Sequence, residues 1–421
     1  MKVIKNYVQA GETHDGLYNT GGFEQRRPRA ASEGDAIALR GVPAGGGWSN
    51  GARETRIALA GLLVVLVLAK MAGMKSVLGA SEWIADQKAL LCEGLQLSWK
   101  RMPCAKTYSY ALARLESQQV NAALAAWMVR KEAESRCGEE PSRLASQSSE
   151  RSVHLAIDGK ALKGTGKQLY GGEEPMKQVL HVYEVQTGIV LQQCPIAQEH
   201  NEVSTLKPLL TEALCKGRIL TSDAAQSYHD FGRLVKRAGG DVVLFIKANT
   251  PATRADLELF FEDPQADRRT WQSFAQSEKG HGRLERRHIT TSPDLNDYLY
   301  RDWGEVGQVF RLQRERKSRD KHSVEVVYGW TSLSQQQCCP QRLLALTRAH
   351  WAVENRLHWR RDATLGEDEC GVRLPPVAQM LAVLNTVVLS LMDRHQVTNV
   401  ARQIRRFVSH PDEALAWVLD F

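Results

Sequence analysis

Hydrophobic residues follow a helical pattern in the first third of the chain. Residues 53–136 contain long Ala- and Leu-rich stretches, such as 119–129, and show no strand-like alternation, which predicts an all-α region. The most apolar run, residues 57–69, is 13 residues long, whereas a helix that crosses a bilayer needs roughly 20. We therefore expect this run to form a buried core helix and expect no membrane-spanning segment.

Short apolar segments that are typical of strands begin near residue 150. Two of them flank the turn Gln186-Thr187-Gly188 and predict an antiparallel hairpin. The predicted strands are residues 153–157, 178–185, 189–194, 218–221 and 241–246, and the helices among them are residues 203–214 and 227–238. Strands that alternate with helices indicate a layered α/β domain.

A second group of strand-like segments lies at about 271–333, with strands at 308–312 and 324–330, before helical periodicity returns at 340–361. These changes divide the chain into five predicted parts. They are a flexible basic extension (1–52), a helical N-terminal domain (53–136), a linker rich in Ser, Gly and Pro (137–151), an α/β domain with the strand-rich insertion (152–395) and a C-terminal helical tail (396–421).

Charge and cysteine content add little to this division. The formal net charge of +7, from 55 Lys and Arg against 48 Asp and Glu, suits a polyanionic partner without requiring one. Basic clusters at 283–288, 311–321 and 402–406, each taken singly, are better explained as solvated faces than as binding sites. The eight cysteines form no CxxC pair and no secretory signal opens the chain, so we expect reduced thiols in a cytoplasmic protein.

Two aspartates follow predicted strands. Asp158 stands in Ile157-Asp158-Gly159, and Asp223 follows the strand that ends at residue 221. Open α/β sheets bind ligands at such strand ends, although an Asp after a strand is as often only a helix N-cap. The pair is a candidate for metal binding in phosphoryl transfer.

The third candidate lies on the last predicted helix of this region. His350, Glu354 and His358 recur every four residues and share one face, which Asp362 extends. A zinc site built from His350, Glu354 and His358 is one interpretation of this stripe. Phosphoryl transfer with Mg²⁺ is the other, because Mg²⁺ prefers the oxygen ligands that Asp158, Asp223 and Glu354 offer. Neighbouring cations could then hold phosphates or stabilise developing charge, and they are Lys160, Lys163, Lys247, His350, His358 and Arg361.

Several motifs in one order resemble a known family. They are Ala156-Ile157-Asp158-Gly159-Lys160, Lys163-Gly164, Asn201-Glu202, Thr221-Ser222-Asp223-Ala224, Gly239-Gly240-Asp241, Lys247-Ala248-Asn249, Lys279-Gly280-His281-Gly282-Arg283 with Glu285 and Arg287, and Asp302-Trp303. The most specific motif is Arg348-Ala349-His350-Trp351-Ala352-Val353-Glu354-Asn355 with Leu357-His358-Trp359, followed by Asp362 and Gly366-Glu367-Asp368. From about residue 54 to 410 the chain resembles the H-repeat-associated, ISAs-type insertion-sequence transposases, a branch of the DDE transposases.

The resemblance implies an RNase H-like catalytic core behind a DNA-binding helical domain. It implies that Asp158, Asp223 and Glu354 are the catalytic carboxylates, and that Arg283, Arg287 and Asn355 join the six cations above as candidates for DNA contact or charge stabilisation. The chain departs from the family at Gln226, where relatives usually carry His. Compared with related DDE groups, His350 takes an Arg-like position and Arg361 a Lys-like one.

From the resemblance we expect a DNA transposase that uses two Mg²⁺ ions, with Mn²⁺ able to substitute, to cut the terminal inverted repeats of its element and join them to target DNA. A homodimer on DNA would bring two ends together. Two alternatives remain at this point: a decayed, DNA-binding relative without catalysis, and a zinc-dependent hydrolase.

Overall fold

The computed structural model describes residues 59–137, 152–166, 176–197, 199–222, 229–246, 250–280, 282–319 and 321–420. The predicted extension at 1–52 lies outside this part of the chain, as do residues 138–151 of the predicted linker and the residues Asp223, Gln226 and Lys247.

The helices are α1 Leu59–Met71, α2 Val77–Asp86, α3 Lys88–Gly94, α4 Ala105–Ala113, α5 Ser117–Cys137, α6 Glu202–Leu206, α7 Glu212–Cys215, α8 His229–Arg237, α9 Pro251–Glu262, α10 Asn296–Trp303, α11 Pro340–His350, α12 Pro375–Arg394, α13 Val400–Ser409 and α14 Pro411–Leu419. The strands are β1 Val153–Leu162, β2 Lys177–Glu184, β3 Val190–Ile196, β4 Arg218–Ser222, β5 Asp241–Ile246, β6 Gln272–Gly280, β7 Arg283–Ser292, β8 Gln308–Lys317 and β9 His322–Thr331. The predicted helix at 203–214 is broken into α6 and α7 by the 3₁₀ turn Lys207–Leu209, which contains Pro208.

The described residues divide into two compact units, one within residues 59–115 and 399–420 and the other within residues 116–398. In the first unit, α1 is buried along most of its length, which confirms the predicted core helix. Helix α14 contacts both α1 and α3. The C-terminal helices therefore pack with the N-terminal ones, whereas the sequence pattern had set residues 396–421 apart as a tail.

Helix α5 belongs to the second unit, although the sequence pattern placed it in the N-terminal region. It packs against β3 and α12, and the buried Asn121 amide donates to the Val190 carbonyl oxygen at 3.4 Å. The spacing of its apolar residues predicts a helix, but it does not show which surface the helix packs against.

A nine-stranded mixed sheet forms the second unit, in the order β3-β2-β1-β4-β5-β9-β8-β7-β6. β4 runs parallel to β1 and to β5, and the other pairs are antiparallel. The hairpin β2–β3 and the alternation of strands with helices confirm the predicted α/β fold with a mixed sheet. The strand-rich insertion is also confirmed, and it extends the main sheet because β9 pairs with β5.

Both faces of the central strands are buried, as expected where helices cover a sheet on two sides. Leu220, Val242 and Leu244 point into one apolar cluster with α8 and α9. Ile219, Val243 and Phe245 point into a second cluster with α11. The alternation of single residues between the two clusters follows from the two-residue period of a strand. It fixes α11, and the segment that follows it, against one face of the sheet.

One helix among the described residues, α12, is long and apolar enough to cross a membrane, and 78% of its apolar window is buried inside the protein. Burial of this extent is what a core helix of a folded domain shows. The cysteines whose side chains the structure describes are all free thiols.

Candidate active site

Asp158 lies on β1, four residues before the strand ends. The prediction that this strand ends at residue 157 is wrong, because β2 continues to pair with β1 as far as Leu162. On its other edge β1 pairs with β4 only up to Ile157, opposite Ser222. Asp158 is therefore the first residue of β1 beyond the end of β4. The predicted position at a strand end is correct only for the edge of β1 that pairs with β4.

The chain changes geometry directly after α11. Residues Val353–His358 and Arg360–Thr364 form π-helical turns, in which the Trp359 amide donates to the Glu354 carbonyl and the Leu365 amide to the Arg360 carbonyl. A π-helix is rare and is frequently found at functional sites. It places Glu354 and His358 beside β1, which this segment contacts.

Asp158, Glu354 and His358 converge. Their ligand atoms all lie within 4.8 Å of one another, the one group among the described residues that could hold a metal ion. His358 Nδ1 lies 3.1 Å from Glu354 Oε2 and 3.4 Å from Asp158 Oδ2. The imidazole is 4% exposed, whereas the Glu354 side chain is 51% exposed. The structure thus presents two carboxylates at the surface above a buried histidine.

Burial and hydrogen bonding set the charges of this group. The hydrogen bond from His358 lowers the pKa of Glu354. Burial lowers the pKa of His358, against the opposing effect of its bond to Glu354. Two carboxylates therefore stand beside a neutral imidazole at neutral pH, an arrangement that attracts a cation.

Two of the lysines predicted to contact DNA form ion pairs with acidic residues that come after Glu354 and His358 in the sequence. Lys160 is buried, and its Nζ lies 2.6 Å from Asp362 Oδ2. Lys163 is exposed and pairs with Asp368 at 2.5 Å. Burial raises the pKa of Asp362, against the effect of its bond to Lys160. Lys163 is therefore open to solvent, whereas Lys160 is held inside the protein.

A buried polar chain lies behind the convergent carboxylates, and the sequence analysis missed most of it. Arg361, which is fully buried, binds the Glu367 carboxylate with two nitrogens at 2.8 and 2.9 Å. Its Nη1 lies 2.6 Å from His181 Nε2, and His181 Nδ1 lies 3.2 Å from His358 Nε2. Asn385 donates to Glu367 at 2.8 Å. Glu367 stood among the motifs, but nothing in the sequence connected it or His181 to Arg361.

His350 belongs to a different cluster. Its Nδ1 lies 3.0 Å from the Thr221 hydroxyl, which lies 2.7 Å from His154 Nε2. Burial, together with the nearby His350, lowers the pKa of His154 to about 3. The zinc site proposed from His350, Glu354 and His358 is therefore not formed, because α11 ends at His350 and the π-helical turns carry the other two residues to Asp158.

The family model described as Transposase DDE domain matches residues 149–391, a range that contains Asp158, Glu354 and the polar chain behind them. The chain belongs to the DDE transposase family.

Relatives of this DDE transposase include proteins named as putative transposases. It is 26% identical over 263 residues to the protein named H repeat-associated putative transposase YhhI of Escherichia coli strain K12, covering 60% of this chain and 68% of that one. The same figures hold for the protein YbfL of that strain. A cryo-EM structure of the piggyBac transposase synaptic complex with hairpin DNA shares 12% identity, with a TM-score of 0.38 over 88% of this chain and 75% of that chain.

The arginines of the transposase insertion that were candidates for DNA contact are engaged with acids. Arg283 Nε lies 2.6 Å from Glu285 Oε1. Arg287 pairs with Glu285 and, at 3.1 Å, with Glu278, which also binds Arg348 from α11 at 2.8 Å. Arg283 remains half exposed, whereas Arg287 is largely buried in this network. The network connects the insertion to α11, and Arg287 is held within it by ion pairs.

An exposed stripe lies beside Glu354 on the same segment of the transposase. Trp351, Asn355 and Trp359 are spaced by four residues and are all exposed, with 44% and 59% of the two indole residues open to solvent. Exposed apolar surface beside a candidate site marks a candidate interaction surface. Asn355, a candidate from the sequence, is therefore exposed on the segment between the two tryptophans.

Proposed function

We propose that this transposase cuts DNA strands at the ends of its own mobile element and joins them to target DNA, with divalent metal ions held by Asp158, Asp223 and Glu354. The observation that carries the proposal is the convergence of Asp158 and Glu354 within 4.8 Å at the end of β4. Asp223 follows Ser222, the residue of β4 that pairs with Ile157. Chain continuity therefore makes Asp223 the natural third ligand, although it lies outside the described residues.

The chemistry of these side chains fits Mg²⁺ or Mn²⁺. Both ions prefer carboxylate oxygens and water, and two carboxylates whose oxygens lie within 4.8 Å of each other favour a bound cation. A pair of such ions, when bound, supplies activation of the attacking water or 3′-hydroxyl and stabilisation of the leaving oxygen in an in-line displacement.

The protein's own residues contribute position and charge. His358 holds the Glu354 carboxylate toward Asp158. The buried pair of Lys160 with Asp362 anchors β1 to the π-helical segment, so that the two carboxylates stay together. Lys163, exposed at the end of β1, is placed to contact a DNA phosphate.

The assembly and its location complete the proposal. Two element ends must be joined to one target, so we expect two protomers to act together on DNA in the bacterial cytoplasm. The family membership supports DNA as the partner, and the exposed stripe beside Glu354 offers a surface for it.

Nicking of labelled element-end duplex tests the proposed activity. Purified protein with Mg²⁺ or Mn²⁺ is expected to nick the strand at the element boundary, and omission of the metal is expected to abolish this. Asp158→Asn keeps the shape of the side chain and removes its charge, so nicking should fall by at least about 100-fold, the effect of several kcal/mol in metal-assisted catalysis.

Glu258→Gln is the matched control, because Glu258 is an exposed acid on α9, an element that contributes nothing to the site. It should nick at the wild-type rate. If wild-type protein binds the duplex and never nicks it, the chain is a DNA-binding relative without catalysis. Equal nicking by wild type and Asp158→Asn would assign the activity to other residues.

The exposed tryptophans give a separate prediction for DNA binding. Aromatic rings stack on unpaired bases with about 1–3 kcal/mol per base, so Trp359→Ala is expected to weaken binding of an element-end duplex with a short single-stranded overhang by about tenfold. Tyr300→Ala, which removes a ring of similar exposure on α10, should leave the affinity unchanged. Fluorescence anisotropy measures both, and equal affinity of the two variants would contradict a DNA-facing role for Trp359.

A further inference from the structure

The buried polar chain behind the carboxylates ends on the imidazole of His358. It runs from Glu367 through Arg361 and His181 to His358, which contacts Glu354 and Asp158. We propose that this chain fixes one tautomer of His358, so that His358 donates a hydrogen bond to the carboxylates and is a positioning residue, not a metal ligand. The inference rests on the proposed function and specifies the ligand set of the same site.

The direction of every hydrogen bond follows from Arg361. A guanidinium only donates, and Arg361 Nη1 lies 2.6 Å from His181 Nε2, so this nitrogen carries no proton. The proton of a neutral His181 is then on Nδ1 and points at His358 Nε2, 3.2 Å away. His358 Nε2 must accept, and the proton of His358 is therefore on Nδ1, which faces Glu354 and Asp158.

The other arrangements conflict with Arg361. If His358 carried its proton on Nε2, alone or as a cation, His181 Nδ1 would have to accept it. The proton of His181 would then be on Nε2 and would point at the guanidinium, donor against donor. Gln193 Oε1 lies 3.3 Å from the same Nε2 and accepts from the Thr386 hydroxyl at 3.1 Å. An unprotonated Nε2 requires this amide to turn its NH₂ group toward the ring, which rotation of the amide allows, and the Thr386 hydroxyl then accepts from that group.

Arg361 itself has no freedom to reverse the chain. It is fully buried and held by the Glu367 carboxylate, which also accepts from Asn385. A guanidinium stays charged in proteins, so its donor role is permanent. Bidentate pairing fixes the plane of the group as well as its position.

The consequence concerns which metal the site takes. A protonated Nδ1 has no lone pair to give a metal, so the ligands at this place are carboxylate oxygens. Without an imidazole nitrogen the site loses a strong ligand for Zn²⁺ and keeps those that Mg²⁺ and Mn²⁺ prefer. The hydrogen bond also orients the Glu354 carboxylate, as groups behind metal ligands do in other proteins.

Imidazole ¹⁵N spectra of the metal-free protein test the tautomer directly. The chain has 12 histidines, and the signals of His358 are identified by their loss in His358→Gln. We expect a proton on Nδ1 and none on Nε2. A proton on Nε2, or on both nitrogens, overturns the proposal. Addition of Mg²⁺ should leave the Nδ1 proton in place, and its loss would show that His358 is a ligand after all.

Two substitutions at His181 separate positioning from packing. The amide of His181→Gln can accept from Arg361 and donate to His358, so the tautomer of His358 should be kept. His181→Leu removes both bonds, so a mixture of tautomers and at least a tenfold gain in Zn²⁺ affinity are expected. If His181→Leu fails to fold, the wild-type and His181→Gln spectra still show whether His358 carries its proton on Nδ1.

An unchanged His358 tautomer in folded His181→Leu would overturn the role of the chain. These spectra need neither DNA nor cleavage, so failure of the proposed function is distinguished from failure of this inference. A protein that never nicks DNA, but keeps the proton on Nδ1, would contradict only the former.

Discussion

Glu354→Gln is expected to lower the rate of strand cleavage by at least about 1,000-fold. The substitution keeps the size of the side chain and replaces one charged ligand by a neutral amide, and metal-assisted stabilisation of several kcal/mol depends on that charge. The Glu354 side chain is half exposed, so the fold should not depend on it. Single-turnover cleavage of the element-end duplex measures the rate.

Thermal unfolding supplies the check on this prediction, since a catalytic loss with an unchanged melting temperature excludes misfolding. Glu258→Gln serves again as the exposed control. Cleavage by Glu354→Gln within about tenfold of wild type would show that Glu354 does not bind an essential metal.

The second large effect is on stability. Glu367→Ala leaves the Arg361 guanidinium buried without its partner, and the loss of one member of a buried ion pair costs about 3–5 kcal/mol of the free energy of unfolding. Urea unfolding measures this. Glu134→Ala removes an exposed acid that pairs with Lys131 on α5, and its effect should be much smaller, because exposed pairs contribute little.

The same pair predicts a pH dependence with a definite sign. Burial acts to raise the pKa of Glu367, but Arg361 and Asn385 outweigh it, so the folded-state pKa lies below the ordinary value of 4.5. A lowered pKa means that this stabilisation is present above pH 4.5 and is lost as the pH falls further, through the folded-state value. Glu367→Ala should therefore lose less stability on acidification than wild type, and equal losses would contradict the assignment.

The sequence predicted the α/β sheet because strand signals are local. Residues 242–246 are all apolar, and the strand predicted over 241–246 has the same bounds in the structure. The end of β1 was mispredicted because it depends on a partner: Gly159 and Lys160 look like a turn in the sequence, but β2 pairs with them. Local patterns cannot show how far a neighbouring strand extends.

Part of the candidate site could likewise be predicted from the sequence, and part could not. Asp158 and Glu354 could be named from the sequence, because their motifs were distinctive, and the structure brings them together. The burial of Arg361 could not be predicted from the sequence, because a cation in a helical segment is usually solvated. Its partner Glu367 is six residues away, and only the π-helical turns and the buried setting bring the two together.

Binding of Mn²⁺ to the transposase, followed by electron paramagnetic resonance with the element-end duplex present, tests the central claim most directly. The account predicts that Asp158→Asn and Glu354→Gln each weaken Mn²⁺ binding by at least about tenfold, since each removes a charged oxygen ligand, while Glu258→Gln binds as wild type does. Equal Mn²⁺ affinity in all four proteins would contradict a metal site at Asp158 and Glu354.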